Sequence, residues 1–329
     1  MVYIYKKTIG NNSYYYLRAS VRKNSKTITK DIAYLGDDIN KVKKKIQELP
    51  AKYTKEIRKA YRTINRFIEA NHYLDKIKSM KIKKNNYLTR EILENIEACR
   101  LHWNKVFLKS DEKTKQEIFM NFLIEFAFNT TSIEGNTIKL AEARKLLTEN
   151  LTPKNKTLRE IYDLKNTQKV FFDFINNPEK KLNHELICKT HDELLKGIDE
   201  RKGYRKQDVR VFKMNFKSTP APYVLADMNL LIKWYNQNQN KLHPLVLAGL
   251  FHHKFEKIHP FMDGNGRTGR MLVNHILMSM GYPLLVIKSR QRQDYIRKLN
   301  KADNNTENYK ELVEFMAKEM TESYWNIFL

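Results

Sequence analysis

From Leu88 to the end of the chain, one segment after another keeps its apolar residues three and four positions apart. LTREILENIEACRLHWNKVFL, TKQEIFMNFLIEFAFN, TLREIYDLKNTQKVFFDFI, NHELICKTHDELL, LADMNLLIKWYNQ, PLVLAGLFHHKFEKI and RMLVNHILMSM all show that spacing, which is the period of an amphipathic helix. Such helices can hide their stripes only against one another, so the expected class is mainly α, a helical bundle. Pro244 suits the first turn of its helix, where a missing N–H costs nothing. No run approaches the eighteen or more apolar residues that a membrane span requires. The start, MVYIYKKTIG, lacks the apolar stretch of a signal peptide, so the expectation is a cytoplasmic protein without a membrane partner. Cys99 and Cys188 are the only cysteines, and they read as buried thiols.

The first thirty-five residues obey another rule. YIYKKTI, YYYLRASVR and TITKDIAYL are strand-like and separated by the turn-rich tetrads GNNS and KNSK, the pattern of a three-stranded antiparallel meander. Adjacent strand residues face opposite ways, so at least one of Tyr14, Tyr15 and Tyr16 belongs to a core. Asp38 can cap the helix that follows, and basic helical pattern then runs to about Met80 before the linker KIKKNN. Residues 1–90 hold 23 Lys/Arg against 7 Asp/Glu, so 16 of the net 24 positive charges lie there. Residues 1–90 are therefore expected to form a basic module, and 91–329 the main domain. The charge invites nucleic acid, although a Lys-rich composition explains it as well.

One stretch breaks the helical pattern hardest. KIHPFMDGNGRTGRML, 257–272, packs three of the ten glycines among one His, one Asp, one Asn and two Arg. Pro260 ends the preceding helix, and a new one is expected near Arg267. Between them Gly264, Asn265 and Gly266 allow backbone N–H groups to turn inward at a helix N-terminus, which makes an anion nest suited to phosphate. Arg267 and Arg270 oppose the helix dipole there, a cost that an anion would offset. Asp263 is the carboxylate that Mg²⁺ takes beside phosphates, and His259 is a base near neutral pH. The chain holds no GxxxxGK[ST], which excludes a Walker A loop.

HPFMDGNGRTGR resembles the signature of the Fic family, HPFx[DE]GNGRxxR, at every defining position. The likeness extends over most of 120–329, through TTSIEGNT, GYR and its proline-bearing flap, and GYPLLVI followed by RQDYIRKL. It implies a Fic-type bundle with a β-hairpin flap and an adenylyltransferase that moves AMP from ATP to a Ser, Thr or Tyr hydroxyl of a protein. By the resemblance His259 is the general base, Asp263 holds Mg²⁺, and Gly264, Asn265 and Gly266 cradle the α-phosphate, the Asn265 side chain included. Arg267 would grip the β/γ-phosphates, and the flap would hold the target segment through Met214, Asn215, Phe216, Lys217, Ser218, Thr219 and Pro220. A hairpin there, with a short strand at Val209–Met214, also follows from the sequence itself.

TTSIEGN resembles the [ST]xxxE[GN] inhibitory motif of relatives whose autoinhibitory helix precedes the core, here about 115–136. Glu134 would then pair with Arg270, displace the γ-phosphate and in some relatives also help water remove AMP. Ile296, Leu299 and Asp303 fall near the adenine by analogy. Ile296 and Asp303 stand where relatives often carry an aromatic and an Asn, which leaves the choice of nucleotide open: ATP, GTP, UTP or another. The standard Gly266 and Arg270 disfavour phosphotransfer. Relatives with this helix often dimerise, which implies a homodimer. A zinc triad of His252, Glu256 and His259 is disfavoured because the pattern is not HExxH; Tyr204 and Arg205 read as supports of the flap. The competing class is a nucleic-acid-binding regulator whose Fic core senses nucleotides and turns over weakly.

Overall fold

The computed structural model describes residues 2–10, 12–23, 26–209, 217–302 and 306–329. Strands β1 (Val2–Ile9), β2 (Asn12–Lys23) and β3 (Lys26–Gly36) form the expected antiparallel meander in the order β1-β2-β3. Tyr5 and Lys7 pair with Tyr16 and Tyr14, and β2 meets β3 through Tyr16 opposite Tyr34, Arg18 opposite Asp31 and Val21 opposite Ile28. Alternation places Val2, Ile4, Tyr15 and Leu17 inside, so Tyr15 is the core member of the tyrosine triplet. Gly36, at φ 103°, ends the sheet.

Asp38 caps α1 (Ile39–Gln47), accepting the Asn40 N–H at 2.9 Å. Then come the short α2 (Thr54–Lys59) and α3 (Tyr61–Lys78). Ile64 and Ile68 of α3 complete the small core under the sheet, whereas Tyr73 and Ile77 belong to the main one. One helix therefore feeds both cores.

The rest is helical: α4 (Arg90–Lys105), α5 (Glu112–Glu134), α6 (Leu140–Glu149), α7 (Leu158–Asn176), α8 (His184–Leu194), α9 (Val224–Asn238), α10 (Pro244–Ile258), α11 (Asn265–Ser279), α12 (Arg292–Lys301) and α13 (Thr306–Ile327). Asp111, Thr157 and Asn183 cap α5, α7 and α8 through their side chains. Helix α10 is buried almost all round, and α11 packs along it, so this pair forms the centre of the bundle. Helix α11 begins at Asn265, two residues before the expected Arg267, because Gly264 takes φ 78° and turns the chain into the helix at once. The expected strand Val209–Met214 lies, beyond Val209, outside the described residues, as do Met214, Asn215 and Phe216 of the flap. Among the described residues no helix is long and apolar enough to cross a membrane.

Candidate active site

The site is the turn between α10 and α11. Asn265 closes it with both ends of one amide: its Oδ1 accepts the Phe261 N–H at 2.9 Å and its Nδ2 donates to the Phe261 carbonyl at 2.8 Å. His191 of α8 stacks beneath Phe261, centroids 3.7 Å apart and planes within 6°, and donates from Nε2 to the Asp263 carbonyl at 3.1 Å. The Asn265 side chain, expected to help cradle the α-phosphate, is thus engaged in holding the turn. A Cβ on Gly264 would run into Leu195, and the left-handed φ strains any L side chain. Gly264→Ala is accordingly expected to cost about 2–4 kcal/mol from strain and overlap together, read as a fall of roughly 5–10 °C in the thermal midpoint. An unchanged midpoint would show that the loop yields.

His259 ends α10 at φ 52°, a conformation uncommon outside glycine. Its Nδ1 faces the Glu256 carbonyl at 3.3 Å. A carbonyl only accepts, so Nδ1 carries the proton and Nε2 is the basic nitrogen. Burial, the largest influence, holds the imidazole below its ordinary pKa, so the ring is neutral at pH 7. Arg205 fixes this corner. Its side chain is fully buried and donates to the His259 carbonyl at 2.8 Å, to the Gln207 carbonyl at 2.9 Å and to the Thr219 carbonyl. It thereby ties the α10–α11 turn to the chain at Gln207 and Thr219, on either side of the expected flap. Asp208 accepts the Ala221 N–H at 2.7 Å and Thr219 donates to Asp227 at 2.6 Å, which anchors the side where Lys217, Ser218 and Pro220 leave the flap.

The two signature arginines do not converge on one point. Arg267, buried, pairs with Asp163 of α7 and with Asp263 at 3.3 Å, and Asp263 also pairs with Arg159 and accepts the Gly264 N–H at 2.6 Å. Burial pushes Asp263 upward, but Arg267, Arg159 and the Gly264 N–H together bring its carboxyl below the usual range. Arg270 turns the other way. Its Nε donates to Thr130 Oγ1 at 2.8 Å and its Nη2 donates to the Thr130 carbonyl at 2.9 Å and to Glu134 Oε1 at 2.8 Å.

Glu134 is the last residue of α5, which Gly135 stops with φ 109°. A Cβ on Gly266 would overlap its Oε1, so the carboxylate sits directly against the first turn of α11. That is the place where a helix N-terminus binds an anion. The loop after Gly135 is held by Glu160, which accepts from Thr137 Oγ1 at 2.6 Å and from the Thr137 and Thr157 N–H groups at 3.0 Å. These bonds draw its carboxyl down to about 2. Arg292 of α12 reaches the Ile133 carbonyl at 2.8 Å.

Beneath this layer, His252 faces the Tyr295 hydroxyl, and fully buried Glu256 has its carboxyl pushed up by desolvation to about 8, so it is neutral at pH 7. Both lie against Gly269, where a Cβ would meet His252 Nδ1 at 2.7 Å and Glu256 Oε1 at 2.9 Å. Among the predicted nucleotide residues, Leu299 is buried on α12 and Ile296 half-buried beside it, whereas Asp303 lies outside the described residues. Sequence reasoning missed Asp163, Arg159 and His191. The first two sit four apart on α7 and carry no sequence signal of their own.

A helical bundle with an anion seat at the α10–α11 turn is the class that this geometry defines. Residues 181–277, from the start of α8 through most of α11, match the Fic/DOC family. The chain is 32% identical over 225 residues to the protein adenylyltransferase Fic of Drosophila grimshawi, covering 66% of this chain and 44% of that protein. It is 27% identical over 243 residues to the protein of the same name from Nematostella vectensis, covering 72% and 56%. The chain thus spans about half the length of these curated relatives. The fold agrees with a Fic-domain-containing signaling protein from Bacteroides thetaiotaomicron at TM-score 0.62 and 24% identity, covering 70% of this chain and 94% of that one. Fic-1 from C. elegans (aa134–508) gives the same score and identity, covering 73% and 71%.

Proposed function

We propose that this protein transfers AMP from ATP to a hydroxyl side chain of a target protein, and that Glu134 holds this activity low. The observation that carries the reading is the seat at the α11 N-terminus: a neutral histidine at its edge, buried Arg267 on one side, and on the other a Glu134 carboxylate paired with buried Arg270 where a phosphate would lie. The names of the relatives supply the reaction class. Because Fic relatives are named as adenylyltransferases, the base assigned is adenine; Ile296 and Leu299 of α12 are its proposed neighbours.

In this mechanism His259 Nε2 takes the proton from the attacking hydroxyl, and the flap feet pinned by Arg205 hold the target segment in line. The N–H groups opening α11 and Arg267 receive the phosphates; as the hydroxyl oxygen bonds to the α-phosphorus, the bond to the β-phosphate breaks and pyrophosphate leaves. A magnesium ion fits the donor set, because Asp263 is a partly exposed carboxylate at the mouth of the seat and the nucleotide would contribute the remaining oxygens. Its charge would neutralise the phosphates; Asp263 would exchange Arg159 for the ion. Removal of AMP would be a separate hydrolysis in the same seat: Glu134 orients a water that attacks the phosphorus, the bond to the target oxygen breaks, and that oxygen leaves with a proton from His259.

The test compares ATP labelled at the α- or the γ-phosphate, incubated with the Glu134→Gly protein and Mg²⁺. Label from the α position alone on protein is expected. Label from the γ position would mean phosphotransfer, and no label from either would end the proposal.

A further inference from the structure

The meander contains a feature that the Fic site does not use. Beyond Leu17 and Tyr34 the β2–β3 hairpin runs past the end of its core, and Lys26–Asp31 is exposed at every residue. The face that buries Tyr15 and Leu17 nearer the core continues along this ribbon and leaves the cross-strand pair Val21 and Ile28 at 61% and 54% exposure. Lys30 and Lys26 flank that pair on the same face, Arg22 projects from the opposite face of the ribbon, and no acidic side chain bridges to any of the three among the described residues. By contrast Arg18 is matched with Asp31 at 2.6 Å.

We propose that this basic β-ribbon binds duplex DNA through the major groove. Two strands with their side chains fill a groove about 12 Å wide, and apolar tips flanked by cations match thymine methyls flanked by phosphates. The tyrosines argue against unpaired bases as the ligand. Stacking needs open ring faces, yet the Arg18 guanidinium covers the Tyr5 ring at 3.6 Å, Tyr16 and Tyr34 contact each other with centroids 5.2 Å apart, and Lys45 lies over Tyr34 at 5.7 Å. What this part of the sheet presents is hydroxyls and ammonium groups, which suit a phosphate backbone. The positive excess of residues 1–90 supplies the attraction at longer range.

The experiment is fluorescence anisotropy of the full chain with a labelled 25-base-pair duplex and with one of its single strands, between 50 and 300 mM salt. The duplex is expected to bind at least tenfold more tightly than the strand. The triple variant Arg22→Glu, Lys26→Glu, Lys30→Glu should weaken duplex binding at least tenfold and lower the slope of log affinity against log salt by roughly three. Three equal charge reversals on exposed lysines of the helical bundle, Lys145→Glu, Lys233→Glu and Lys241→Glu, should change affinity less than threefold. A thermal midpoint matching the parent's confirms that the ribbon variant is folded. Absence of binding at 50 mM salt, preference for the single strand, or equal loss in the two triple variants would each overturn the proposal.

Discussion

Replacing Glu134 with glycine is expected to raise AMP transfer about 10- to 100-fold. The carboxylate accepts a charge-assisted hydrogen bond from Arg270 at 2.8 Å and fills the space above Gly266 at the α11 N-terminus. Such a bond is worth about 1.5–3 kcal/mol, and every 1.36 kcal/mol is a factor of ten in rate. Arg270 does not lose its aim when the carboxylate goes, because Thr130 holds it through both its Oγ1 and its carbonyl. The freed guanidinium therefore stays turned toward the seat. Initial rates of α-label incorporation at saturating ATP measure the effect, and Glu134→Gln should give a smaller increase because the amide still fills the space. A glycine variant no faster than its parent would show that the contact is structural and not inhibitory.

In that activated background His259→Ala is expected to lower transfer by about 10²- to 10⁴-fold, the usual contribution of a general base. Nucleotide binding should change little, because the proposed phosphate seat is on α11 and does not include the imidazole. The acid limb of the pH profile gives an independent reading. Burial lowers the imidazole pKa, so the neutral, basic form persists below the ordinary histidine range. Transfer should therefore stay level as pH falls through 6.5 and decline only further down. A limb above 6.5 would assign the titration to another group, and a His259→Ala variant as active as its background would remove His259 from the mechanism.

The helical spacing, the meander, the Asp38 cap and Pro244 at the head of α10 were legible in the sequence because each depends on neighbours within a few positions. The signature was legible for the same reason: a proline stop, glycines at a turn and arginines in a first turn are local chemistry. The position of Glu134 was accessible only through the resemblance, and the contact itself required α5 to lie against α11.

How charges from distant segments are shared follows from packing and could not be read from the chain. Arg267 and Arg270, three apart on α11, divide between Asp163 and Asp263 on one side and Thr130 and Glu134 on the other. Arg205 could be read from sequence as a flap support, but not as the group that binds the His259 carbonyl. Neutral Glu256 and neutral His259 owe their state to burial among helices that the chain joins from far apart. Periodicity and turn chemistry act over one or two turns of chain, so the elements and the signature could be read directly from the order of residues. Burial and ion pairing act through space, so the fold alone decided which carboxylate meets which arginine.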